Sequence, residues 1–538
     1  MLEKSLLLLI ALASAECLAA VPSQFIAKQY TEGLGRAPDP LGWQNATNAA
    51  ISAGCSAASL QNIALGVFSS AEYTSKGYTA AEGVLTAYRA IFSREPDPSG
   101  FSYWVNYLES GHTVAEIVPF LISSQEFAGL VPAICSGNAY DPLGAPKQAM
   151  DIGSGTWTQA QLESCINDNQ ICSVPPRTVV FLTSTLTIPA GKVLETQGGY
   201  DHFMYARQAR LVRNASPQGI LVVMHAGATI RNIWVSGQRH LYKNFLLRMP
   251  EPQDNVFPNI NYVGGDDGVI QGVRSDAPLS ATHIATFPVP TPAVPTSPAD
   301  FLGSVLIDSN LTTGYVHSHY PDGSPVAWAD GISNHITDAT ITNNHIVDPT
   351  DVGIVIFGHD GSTQSSTASN NLIVHAGHSA YGSLGLDAIQ CLQSRSACRF
   401  SGTGYTNNTI FAGPLQHSDI VLFNGTGAWV PPTCTGTNEQ RCATGGQMSN
   451  NTTILGDSNQ AIMAQVGIYV DGMLGAVTSG NTLNVIPISP STWHPTYSRM
   501  SCYKGPMIIN ALTTGHASGT LQAGLDADID GCIGHDIR

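Results

Sequence analysis

A pair of asparagines recurs through the second half of this 538-residue chain, each pair just ahead of an aliphatic residue. The pairs are Asn343 and Asn344, Asn370 and Asn371, Asn407 and Asn408, and Asn450 and Asn451, with Gly480 and Asn481 continuing the series. Their spacings are 27, 37, 43 and 30 residues. Repeats of this size mean a solenoid, in which each unit buries its apolar face only against its neighbours. Asn suits one corner of a β-coil, because it tolerates the left-handed conformation and its amide can bond the Asn of the next turn. Loops of varying length between turns explain the uneven spacing.

A second element falls between the pairs: DGI at Asp330, DVGIVIF at Asp351, LGLDAI at Leu384, SDIVLF at Ser418 and VGIYVDG at Val466. Aligning Gly331, Gly353, Gly385, Asp419 and Gly467 as equivalents turns Ile332, Ile354, Leu386, Ile420 and Ile468 inward as a stacked ladder. The intervals are rich in Asn, Gly, Ser and Thr, which excludes a doubly wound α/β fold. An immunoglobulin-type sandwich would not explain the Asn register. Upstream, VVFLTSTLTIPAGKVLETQGG (Val179 to Gly199) resembles the opening turn of pectate-lyase-like proteins. That resemblance implies a right-handed parallel β-helix, here over residues 151–485, with the amphipathic segment Thr158 to Ile166 plugging its open edge. The pattern is lost after 485, so residues 486–538 are expected to form a C-terminal cap.

Residues 24–135 have helical spacing and an internal repeat. LGRAPDPLGW (Leu34 to Trp43) recurs as FSREPDPSGF (Phe92 to Phe101), and SSAEY (Ser69 to Tyr73) as SSQEF (Ser123 to Phe127). Thr113 and Glu116 form a capping-box pattern. This order of motifs resembles the bacterial family called domain of unknown function 4214, found in exported and surface proteins, with no chemistry to carry over. Arg36, Asp39, Arg94 and Asp97 are expected to organise the turn before each helix. Residues 136–150 (SGNAYDPLGAPKQAM) are expected to be a linker. Residues 1–20 look like a secretory signal: Lys4, then the apolar run Leu6 to Ala15, then small residues. No stretch reaches the ~18–20 apolar residues of a membrane span. Without Cys17, ten of eleven cysteines remain. An even number in an exported chain suggests disulfides: Cys55/Cys135, Cys165/Cys172, Cys391/Cys398, Cys434/Cys442 and Cys502/Cys532. A zinc site would need CxxC spacing, which is absent.

The net charge of −16 argues against nucleic acid and anionic membranes as partners. An extracellular polysaccharide is the expected partner, and the location secreted or cell-surface. On the aligned face Asp387 and Asp419 fall on neighbouring turns, offset by two residues, with backbones about 8 Å apart. That separation suits the two carboxylates of an inverting glycosidase. Asp387, Asp419 and His417 are therefore the candidate catalytic residues, and Asp351, Tyr469 and Asp471 the candidate sugar contacts. His375 and His378 are a further candidate acid/base pair. Two alternatives stand beside the hydrolase. One is a lyase using Ca²⁺, held by Asp351, Asp387 and Asp419, to bridge an acidic polymer; no other cofactor is implied. The other is a non-catalytic glycan-binding adhesin, since fold alone does not choose.

Overall fold

The computed structural model describes residues 21–140, 156–198, 204–214, 219–239, 258–279, 281–288, 298–314, 318–319, 325–327, 329–359, 361–387, 399–425, 443–453, 462–464, 466–471, 473–474, 477–487 and 508–509. The signal-like residues and the other three cysteine pairs lie outside these. Cys55–Cys135 and Cys165–Cys172 are joined as expected.

The two copies of the N-terminal repeat are built alike. Asp39 caps the helix Pro40–Ala53 through the Gly42 amide, and Asp97 caps Pro98–Glu109 through the Gly100 amide. In both a proline stands at the first helical position, where a missing N–H leaves nothing unpaired. Arg36 grips both carboxylate oxygens of Glu72, in SSAEY, at 2.7 Å each. Arg94 grips Glu126, in SSQEF, at 2.6 Å each. The two motifs that recur in sequence are thus the two halves of a bidentate ion pair. The expected capping box at Thr113 and Glu116 is formed.

The rest is the expected right-handed parallel β-helix. Among the described residues three sheets contain nine, eleven and ten strands. Sheet 1 runs from Thr156–Trp157 to Thr409–Ala412, sheet 2 from Ile171–Val174 to Met473–Leu474, and sheet 3 from Leu186–Ile188 to Val466–Asp471. Each turn visits sheet 1, then sheet 3, then sheet 2, and aliphatic side chains from all three fill the interior. Helix Gln159–Asp168 closes one end by burying Leu162 and Ile166 against that interior. At the other end Ile508–Ile509, within the expected cap, pairs antiparallel with Ile468 and Tyr469.

The asparagines form a continuous ladder. The backbone and side-chain amides of Asn344 donate to Asn371 Oδ1, those of Asn371 to Asn408, those of Asn408 to Asn451, and those of Asn451 to Asn481, at 2.9–3.1 Å. Each side chain also donates to a backbone carbonyl, as Asn371 does to Ile341. The preceding residue is left-handed every time: φ is 56° at Asn343 and Asn370, 58° at Asn407, 57° at Asn450 and 64° at Gly480. One rung escaped the sequence pattern. Asn310 donates to Asn344 Oδ1, and Ser309 holds φ 56° where the other rungs have Asn or Gly.

The helical region lies against the outer face of sheet 1. Leu311, Val347, Val374 and Phe411 of the coil share one apolar core with Phe25, Trp43 and Ile91 of the helices. The Trp43 ring sits 5.3 Å from that of Phe411. Trp234 of sheet 1 is flanked by Arg89, Arg210 and Arg274 at 4.5, 4.1 and 4.1 Å. Glu95 pairs Arg89 at 3.0 Å and Arg210 at 2.8 Å, and Glu32 pairs Arg274 at 2.6 Å. The interface also reaches into the expected linker: Tyr140 is buried in the shared core and the Gly137 carbonyl accepts from Gln416.

Candidate functional site

The expected catalytic and sugar-contact residues lie on or directly before the sheet 3 strands Val352–Phe357, Ala380–Asp387, Ser418–Gly425 and Val466–Asp471, which follow Ala329–Asn334 in that sheet. Their register is Ile332, Ile354, Leu384, Leu422, Ile468. The expected alignment is therefore displaced by two residues on two strands, with Leu386 and Ile420 taken for Leu384 and Leu422. A slip of two keeps every side chain on its face, so alternation could not expose it.

The strands also kink. A Cβ on Gly331 would lie 2.6 Å from Ile346 Cγ2, and one on Gly353 3.2 Å from Ile373, both core residues. Gly331 and Ile332, and likewise Gly353 and Ile354, are consecutive inward residues, so alternation restarts there. Gly353 was expected to face outward, and that expectation is corrected. Asp330 and Ser333 flank such an inward pair and meet outside it, Ser333 Oγ donating to Asp330 at 2.6 Å. From the core side Tyr405 braces the kink, its hydroxyl donating to the carbonyls of Gly385 at 2.5 Å and Ile354 at 3.2 Å.

Two carboxyls, Asp330 and Asp387, act on a third, Asp351. Burial pushes Asp330 up to about 7, against the pull of its bonds from Ser333 and the Val352 amide. Asp351, half-buried, is raised well above the usual carboxylate range by burial, then by the charges of Asp330 and Asp387. Asp387 is buried, level with Phe357 on one side and Gly425 on the other.

The expected two-residue offset between Asp387 and Asp419 is not found: Asp419 precedes Gly425, the register partner of Asp387, by six residues. Both acids are buried rather than solvated, at 0% and 1% exposure. Asp419 instead stands with His417, whose Nε2 lies 3.3 Å from its Oδ1, and His417 Nδ1 lies 3.0 Å from Ser379 Oγ. The backbones of Tyr469 and Asp471 are level with Phe423 and Gly425, so Asp471 shares the row of Asp387, two coils on.

His375 and His378 do not form a pair. His375 is buried against Ser383, at 3.0 Å, and burial together with the His417 charge pushes it down to about 3. The backbone amide of His378, with those of Ala376 and Gly377, donates to Asp348. Asp330 and Ser379 were passed over in the sequence because each sits in a motif valued for other letters. DGI aligns with the other strands through its glycine, and Ser379 directly follows His378, the more conspicuous acid/base group. Among the described residues no group of three or more His, Cys, Asp or Glu is placed to hold a metal ion. No single helix among them is long and apolar enough to cross a membrane.

The molecule is thus a parallel β-helix with an acidic site at a kinked sheet and a helical region fixed to its flank. Residues 64–131 match the family model described as Domain of unknown function (DUF4214), which spans the end of the first repeat and nearly all of the second. No curated protein matches the chain. Among solved structures it is similar to endo-xylogalacturonan hydrolase from Aspergillus tubingensis, at 12% identity and TM-score 0.33, over 62% of this chain and 91% of that one. Alginate lyase from Paenibacillus sp. str. FPU-7 is similar at 11% and 0.31, over 62% and 99%. The catalytic domain of GH87 alpha-1,3-glucanase is similar at 11% and 0.29, over 62% and 67%.

Proposed function

We propose that this is an exported glycoside hydrolase acting on an extracellular polysaccharide, with Asp351 as general acid and Asp330 as base. The observation that carries this reading is the pair of carboxyls on adjacent coils, where the Val352 amide donates to Asp330 at 2.9 Å and burial raises both Asp330 and Asp351. A carboxyl that keeps its proton beside a second carboxyl is the arrangement that glycosidic cleavage uses. Asp387 adds the third charge and keeps the proton on Asp351. The row of Asp387 continues to Asp471, and with Tyr469 these remain the proposed substrate-binding positions along the coil axis. A chain of net charge −16 favours a neutral glycan over a polyanion. Two disulfides accord with an oxidising, extracellular setting.

The test is a reducing-sugar assay over neutral and acidic glycans, with and without chelator. Asp351→Asn and Asp330→Asn should each lose roughly 10²–10⁴-fold in rate while keeping the wild-type circular dichroism spectrum. Full activity in both variants would remove the carboxyls from the mechanism. Unsaturated products that disappear with chelator would replace the hydrolase by the lyase.

A further inference from the structure

We propose a second catalytic centre on the coil, a serine ester hydrolase built from Ser379, His417 and Asp419. Ser379 ends the turn entering strand Ala380–Asp387, and His417 stands directly before Ser418–Gly425. The pairing of Ala380 with Ser418 brings the two side by side, and the Ala380 amide bonds the His417 carbonyl at 2.9 Å. Asp419 follows His417 by two residues, the spacing that returns a side chain to the same face of a strand.

The three side chains make a relay. Ser379 Oγ lies 3.0 Å from His417 Nδ1, and the His417 backbone amide donates to the same oxygen at 3.1 Å, holding it in place. His417 Nε2 faces Asp419 Oδ1 at 3.3 Å, a contact without hydrogen-bond alignment, as is common in free enzymes of this kind. Burial is graded as acyl transfer needs. Asp419, which orients the ring, is buried, whereas the base His417 and the nucleophile Ser379 are half-buried and reachable. A serine hydroxyl becomes nucleophilic when an imidazole takes its proton and a carboxylate stabilises the resulting cation.

In the first step Ser379 Oγ bonds the acyl carbon as its proton passes to His417 Nδ1. The bond from acyl carbon to the alcohol oxygen breaks, and the alcohol leaves with that proton. Water then attacks the acyl-serine and gives a proton to Nδ1. The carboxylic acid departs and Ser379 recovers its proton. Asp419 is a positioning residue. The substrate is a carboxylic ester. Resting on the glycan reading above, its alcohol is a sugar hydroxyl bearing a small O-acyl group. Asp351, Tyr381 and Asp419 lie level on three successive coils, so one extended glycan can lie across both centres.

The experiment uses the full chain with a fluorophosphonate probe, peptide mapping, and 4-nitrophenyl acetate turnover. Ser379 should be labelled, and His417→Gln should slow both labelling and turnover at least 100-fold. Asp419→Asn should lower kcat with KM little changed, which loss of packing alone would not do. An unlabelled Ser379 in the folded wild-type protein overturns the proposal, as does ester turnover that survives Ser379→Ala. Neither readout contains a glycan, so this outcome is separate from that of the hydrolase assay. Acetate release from O-acetylated xylan supports the sugar-ester assignment. Turnover of 4-nitrophenyl acetate without such release overturns that assignment.

Discussion

Asp330 holds a proton that the unfolded chain would release. Its folded value, about 7, exceeds that of an exposed carboxylate, so folding takes up a proton between roughly pH 4 and 7. Stability from this group therefore falls as pH rises through that window, and the full penalty applies above it. Asp330→Asn should stabilise the protein at pH 8 by a few kcal/mol, on the order of the shift, and by little at pH 4. Urea melts at the two pH values check this, and a gain of equal size at both would contradict it. Glu95 behaves oppositely. Burial opposes its charge, but Arg89 and Arg210 outweigh burial and hold it below the usual range. Its stabilisation is present at neutral pH and is lost on acidification. The sequence marked Asp351, Asp387, Asp419 and His417 as an acidic face; Asp387 and Asp419 are in strands of sheet 3, and Asp351 and His417 directly precede strands of it. It could not show who meets whom, because partners across the coils depend on register and on a kink at glycines that carry no side chain to betray it.

The Asn ladder binds each coil to the next through buried amides. Asn371 accepts two bonds from Asn344 and donates to Asn408 and Ile341, all within the protein. Asn371→Ala should cost about 3 kcal/mol, because it strands the two buried Asn344 donors on one neighbouring coil and takes a side-chain donor from Asn408 Oδ1 on the other. Asn370→Ala forces a methyl-bearing residue to hold φ 56° and should cost about 1 kcal/mol, whereas Asn370→Gly should be nearly neutral. Chemical denaturation of the three variants would rank them, and equal losses would refute the division of roles. This corner was legible because one residue type does two jobs at four of the rungs. Ser309 hid a rung by doing only the first of them. The docking of the helices left a trace as well. Ile346 with Val347, Ile373 with Val374 and Ile410 with Phe411 are adjacent apolar pairs after the first three Asn pairs, and adjacency marks a strand covered on both faces. Taken as simple alternation, only the inner member of each pair carried meaning.

At the scale of the molecule, helices and coil share a core and a buried set of charges, so they should melt in one transition. Glu95→Ala leaves Arg89 and Arg210 buried without their acid and should cost about 3–5 kcal/mol, lowering the melting temperature. Calorimetry should show a single peak for the wild-type protein. Two well-separated peaks there would mean that the interface holds the parts together without coupling them. The position of Trp43 against Phe411 also sets a clock. Those residues are 368 positions apart, so at about 5–20 residues per second the tryptophan waits roughly 20–70 s for its partner to be synthesised. The helices are made first and covered coil by coil, and the apolar surface that meets Phe411 stays open until the coil of that residue is made.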